Sequence, residues 1–119
     1  MRTLCVFCGS RPGSGTAYMD MARSLGALLA RRGVAIVYGG GRVGLMGALA
    51  DAALAANGRV IGVIPQMLVD YEVGHSGLSE LHIVRTMAER KEMMGALSDA
   101  FLTLPGGTGT MDEMFEAWT

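Results

Sequence analysis

The amino-acid sequence predicts an α/β fold, a doubly wound parallel sheet with helices on both faces. Three observations carry this expectation. Short apolar, β-branched runs alternate with longer helical stretches along the chain. Several of those runs are continuously apolar, as in strands covered on both sides, and do not alternate with polar residues. Glycine-rich loops follow three of them, where strand-to-helix turns are expected and where glycine permits the tight backbone.

The elements follow in order. Residues 4–8 form a continuous apolar strand. Residues 16–32 form a helix with Ala17, Met21, Leu25, Leu28 and Leu29 on one face, and Gly33 supplies its stop. Residues 34–38 are a second buried strand. Residues 45–56 are rich in alanine, the strongest helix former, and Asn57 and Gly58 end that helix. Residues 59–64 are a third strand closed by Pro65. Residues 66–81 are mixed in character and take no firm assignment. Residues 81–84 are a fourth strand, and residues 86–97 a helix in which Thr86 and Glu89 have capping-box spacing. Residues 100–104 are a fifth strand, residues 105–109 a loop, and a further helix opens near Thr110. Crossovers between such strands are right-handed, and ligands sit beyond the carboxyl ends of the strands.

Length fits one α/β domain over residues 1–119, with no repeat or linker. The last helix carries the sole tryptophan, Trp118, and stops at Thr119 after under about three turns. A parallel sheet normally continues past such a helix, so a truncated C-terminus lacking further strands and helices is the expectation.

Composition removes several function classes. Half of the chain is hydrophobic, 18% is charged and the net charge is −1. That excludes disorder, because the chain has apolar surface to bury and little charge to repel itself. It also argues against nucleic acid as a partner, which would select a basic face. No apolar run reaches the roughly 18 residues of a membrane span, and the first residues lack signal-peptide architecture. Cys5 and Cys8 give no disulfide framework, so a reducing cytoplasm is expected. They form C-x-x-C without the second pair of a zinc site, and lie in a strand where redox pairs open a helix; they read as core thiols. His75 and His82 are seven apart with no acidic partner pattern and read as structural. Most of the ten methionines are core filler, with Met93, Met94, Met111 and Met114 candidates for a dimer face. Lysine occurs once, at Lys91, which leaves little room for chemistry on a lysine nucleophile.

The loops carry the chemistry. They run from Gly9 to Thr16, from Gly39 to Gly44, and from Pro105 to Thr110. Backbone N–H groups in such loops approach an anion closely, and a helix N-terminus adds partial positive charge. Three on one sheet edge point to a phosphate-bearing ligand. The second loop satisfies G-x-G-x-x-G through Gly39, Gly41 and Gly44, but the strand after it ends without the acid that would hold a dinucleotide's ribose. The first lacks the Gly-Lys-Ser/Thr ending of an ATP-binding loop. In the third, Thr110 and Glu113 fit either a capping box or a carboxylate addressing a ligand. Arg90 and Lys91 fit either an exposed pair beside Glu89 or Glu92, or a cation reaching a phosphate or its sugar.

Pro105-Gly106-Gly107-Thr108-Gly109-Thr110-Met111-Asp112-Glu113 matches the PGGxGTxxE signature in full. With Met87 to Lys91, the Cys8-Gly9-Ser10 strand end and Gly39-Gly40-Gly41, it resembles the LONELY GUY family of cytokinin riboside 5′-monophosphate phosphoribohydrolases. These are often mislabelled lysine decarboxylases. The resemblance implies a Rossmann-like fold, a homodimer, and a nucleoside 5′-monophosphate substrate. Its N-glycosidic bond would be cleaved to a free base and ribose 5-phosphate, with neither metal nor cofactor. It implies that Gly106, Gly107, Thr108, Gly109 and Thr110 hold the phosphate, that Arg90 and Glu113 are the catalytic pair, and that Lys91 and Glu72 contact substrate. The mechanism is chemically consistent, since a carboxylate can stabilise an oxocarbenium-like transition state or activate water. A non-catalytic carrier of a nucleotide or of the molybdenum cofactor is the alternative. The chain departs from the family in ending before the family's sheet does.

Overall fold

A computed structural model describes residues 2–8, 17–42, 44–69 and 77–104. Five strands, β1 (Thr3–Phe7), β2 (Ala35–Tyr38), β3 (Val60–Pro65), β4 (Glu80–Val84) and β5 (Ala100–Thr103), form one sheet in the order β4-β3-β2-β1-β5. Every pairing is parallel. Three α-helices connect them: α1 (Ala17–Arg31), α2 (Gly44–Ala55) and α3 (Met87–Leu97). A short 3-10 turn at Gln66–Leu68 follows β3 directly, inside the stretch that sequence patterning left unassigned.

β1, β2 and β3 have two buried faces, which is why they read as unbroken apolar runs, whereas β4 and β5 at the two edges of the described sheet keep exposed positions. Leu4, Val6, Ile36, Tyr38 and Val60 pack with α1 and α2. Cys5, Phe7, Val37, Ile61, Val63 and Val84 pack with Met94 of α3. Helices therefore cover both faces, as expected. Cys5 and Cys8 are both buried and outside any disulfide, and the alternation of the strand sends them into different clusters.

α1 meets the core through a different stripe from the one its apolar spacing suggests. Ala22 and Gly26 are buried, with Leu25 and Leu29 beside them, whereas Met21 and Leu28 are 37% and 41% exposed and Ala17 also faces solvent. The small residues win the interface because α1 crosses α2 at close range, which larger side chains would prevent. α2 packs beside α1 on the same face of the sheet and is buried on most sides, from Leu45 to Ala50 and again at Ala53. Gly33 adopts φ +71° after α1, with Val34 N–H bonding the Leu29 carbonyl, so the stop falls where expected. After α2 it is Asn57 that takes the left-handed conformation. Among the described residues no helix is long and apolar enough to cross a membrane.

The strand order reverses between β1 and β5: β2, β3 and β4 run outward on one side of β1, and β5 lies on the other. In a doubly wound sheet that reversal opens the ligand crevice. The two ends are tied together there, since Phe7 is in register with Thr103 and Leu104 N–H bonds the Phe7 carbonyl at 2.8 Å.

Candidate active site

Arg90 organises the carboxyl edge of the sheet. It lies in the first turn of α3, whose N-cap is Thr86; the Thr86 hydroxyl accepts the Glu89 N–H at 3.1 Å. The return half of the expected capping box is absent. Glu89 reaches past Thr86 to accept the Arg85 N–H at 3.1 Å and pairs with the Arg85 guanidinium. Those contacts, the backbone N–H first, hold the Glu89 carboxyl below its ordinary titration range despite some burial.

With Glu89 committed to Arg85, the side chain of Arg90 turns inward and is only 4% exposed. A cation near a helix N-terminus opposes the macrodipole, and burial of a charge is costly without hydrogen bonds. Both penalties are met by strand ends. Nε donates to the Val63 carbonyl of β3 at 2.9 Å, and an Nη nitrogen donates to the Gly39 carbonyl just after β2 at 2.6 Å. Such bonds to a charged group are worth about 1.5–3 kcal/mol each. The reading of Arg90 as half of an exposed basic pair is thereby corrected. Lys91, one residue and about 100° further round the helix, is exposed.

The glycines after β2 serve this arrangement. Gly39 lies against the guanidinium, Gly40 takes φ +82° against Gly62 and Leu81, and the Gly41 carbonyl accepts the buried Tyr38 hydroxyl at 2.6 Å. Sequence reasoning saw the glycines and missed what they accommodate. It could not have identified the Val63 carbonyl, because a backbone acceptor leaves no mark in residue identity.

From Gly39 to the crevice is two inter-strand steps, about 10 Å. Arg90 is thus a fixed cation on the ligand side of the sheet, close to the ends of β1 and β5. The first and third glycine loops depart from those ends. Glu72, Gly106, Gly107, Thr108, Gly109, Thr110 and Glu113 lie outside the described residues, as do Met111, Met114 and His75.

Two other expectations change. Met94 is 4% exposed and belongs to the core beneath α3, so it does not line an outer face. His82 has an acidic neighbour after all: its Nε2 lies 3.8 Å from Glu80. The signal was present, since residues two apart on a strand share a face.

A family model described as "Possible lysine decarboxylase" matches residues 46–119, which is more than half of the chain. The chain belongs to this family. Its members include the relatives that the LONELY GUY resemblance anticipated. The chain is 50% identical over 119 residues to the cytokinin riboside 5′-monophosphate phosphoribohydrolase of Rhodococcoides fascians, covering 99% of this chain and 60% of that protein. It is 47% identical over 117 residues to the protein of the same name from Mycobacterium tuberculosis, covering 98% of this chain and 62% of that protein. The chain therefore spans about 60% of the length of these curated relatives. Among solved structures, the molybdenum cofactor binding protein of the phototrophic bacterium Rippkaea orientalis matches 98% of this chain and 69% of its own, with TM-score 0.82 and 23% identity. At that identity the likeness establishes the Rossmann-like fold of this LONELY GUY family chain.

Proposed function

We propose that the full-length protein is a hydrolase that cleaves the N-glycosidic bond of cytokinin riboside 5′-monophosphate or AMP. The observation that carries this reading is the buried Arg90, fixed by strand-end carbonyls beside the β1/β5 crevice. The relatives named phosphoribohydrolases support the choice of reaction. In the proposal, backbone amides of Gly106, Gly107, Thr108, Gly109 and Thr110 hold the 5′-phosphate. Lys91 and Glu72 contact substrate. Water attacks the anomeric carbon as the carbon–nitrogen bond breaks, and the bonding pair leaves with the base. Glu113 stabilises the oxocarbenium-like transition state and takes the proton of the attacking water, while the base gains a proton from solvent. Arg90 orients the sugar phosphate and offsets the charge that develops. The protein acts as a homodimer in a reducing cytoplasm.

The test is incubation of the full-length protein with AMP and with N6-isopentenyl-AMP, followed by chromatography. Release of free base and ribose 5-phosphate is expected. Tight binding with no free base would overturn the hydrolase and favour a non-catalytic carrier.

A further inference from the structure

We propose that Gly39 is a positioning residue for Arg90: the missing side chain at this position sets where the guanidinium sits. A Cβ built on Gly39 falls within contact distance of an Nη nitrogen of Arg90. It lies 3.3 Å from the guanidinium carbon and 3.2 Å from the Met46 sulfur. The Gly39 carbonyl is at the same time an acceptor of that guanidinium. One residue thus offers the bond and keeps clear the space the bond requires.

The backbone gives no other reason for glycine here. Gly39 is not among the positive-φ glycines, whereas its neighbour Gly40 is. An alanine at position 39 is therefore conformationally permitted, and it meets the movable end of a long side chain before it meets any backbone. The least costly response is for the guanidinium to leave the Gly39 carbonyl, with the sheet intact. Gly39→Ala should consequently displace one buried cation and lower stability by the bond that is lost, with the fold retained.

The rate arm of the test rests on the hydrolase reading; a second arm does not. In the full-length protein, Gly39→Ala is expected to lower kcat for AMP at least tenfold, to leave KM within about threefold, and to lower the thermal midpoint by about 5–18 °C, the loss of one charged hydrogen bond, with melting still cooperative. Arg90→Lys removes the fork that Gly39 accommodates. Adding Gly39→Ala to Arg90→Lys should therefore cost less than threefold further, a non-additivity that a purely structural role would not produce. Independently of activity, the Arg90 Nη–H resonances should be protected from exchange by the Gly39 carbonyl in the native protein and lose that protection in Gly39→Ala. Native-like kcat in Gly39→Ala would overturn the proposal, as would fully additive losses in the double variant or unchanged Nη–H signals. If the native protein releases no base from any nucleotide, the hydrolase reading fails alone and the resonances decide the role of Gly39.

Discussion

Gly26 and Gly95 are both helical glycines, and replacing each by alanine should move stability in opposite directions. At Gly26, where α1 crosses α2, an added Cβ would overlap the Leu49 carbonyl oxygen. It would also sit 3.2 Å from the Ala53 nitrogen and 3.3 Å from the Leu49 carbonyl carbon. All three are backbone atoms, so no rotamer change relieves the overlap and the helices must separate. Overpacking of this kind costs typically 1–3 kcal/mol, and a rigid partner places the cost near 3. Against it stands the helix propensity of alanine over glycine, about 1 kcal/mol. The net loss is about 2 kcal/mol. For a domain of this size each kcal/mol moves Tm by about 3–6 °C, so Gly26→Ala should melt about 6–12 °C lower. At Gly95 in α3 nothing lies within 4 Å of the added carbon. Only the propensity gain remains there, and Gly95→Ala should stabilise by about 0.5–1 kcal/mol. Circular dichroism melts and urea titrations of both variants decide the matter. A Gly26→Ala protein as stable as the native one would refute the close-crossing argument, and a destabilised Gly95→Ala would refute the claim of open space.

Other perturbations test separate links. Glu113→Gln should retain nucleotide binding by calorimetry and lose base release; an active variant removes that carboxylate from the mechanism. Tyr38→Phe deletes a buried 2.6 Å bond to the Gly41 carbonyl and should cost about 1–2 kcal/mol in urea unfolding, with no loss if the carbonyl finds another donor. Asp99 accepts the backbone N–H groups of Arg2 and Thr3, each at 3.0 Å, and these hold its carboxyl below the ordinary value near 3.9. A depressed folded pKa stabilises the protein above the unfolded value, and that contribution is lost as pH falls through the folded value. The stability difference between the native protein and Asp99→Asn should therefore be largest above about pH 5 and shrink towards pH 2. A difference that does not change with pH would show that the charge plays no part.

The three inner strands were legible in the sequence because burial on both faces writes itself as uninterrupted apolar runs, and because Gly33 and Asn57 mark helix ends by backbone geometry. The face of α1 was misjudged for a physical reason. Large apolar residues define a stripe by size, whereas the interface with α2 selects small ones, and Ala22 and Gly26 carry little weight in any hydrophobic pattern. The capping box was half right, since Thr86 caps α3 while Glu89 is drawn off by Arg85. Arg90 was visible as a residue type beside Lys91. Its burial was not, because the acceptors are backbone carbonyls on strands 27 and 51 residues away in sequence.

The glycine loops show why composition alone overstates an anion cradle. After β2, Gly39 makes room for a cation, Gly40 admits a left-handed turn, and the Gly41 carbonyl faces a tyrosine hydroxyl. Here glycine serves close packing around a carbonyl-bound guanidinium. A phosphate would need N–H groups turned outward. The proposed phosphate site rests on the place of the loops and not on their number: β1 and β5 end side by side where the strand order reverses, and the chain continues from β5 into the PGGxGTxxE signature. Under the proposed reaction, the second loop would serve as the seat of Arg90, two strands from the anion that the proposal places after β5.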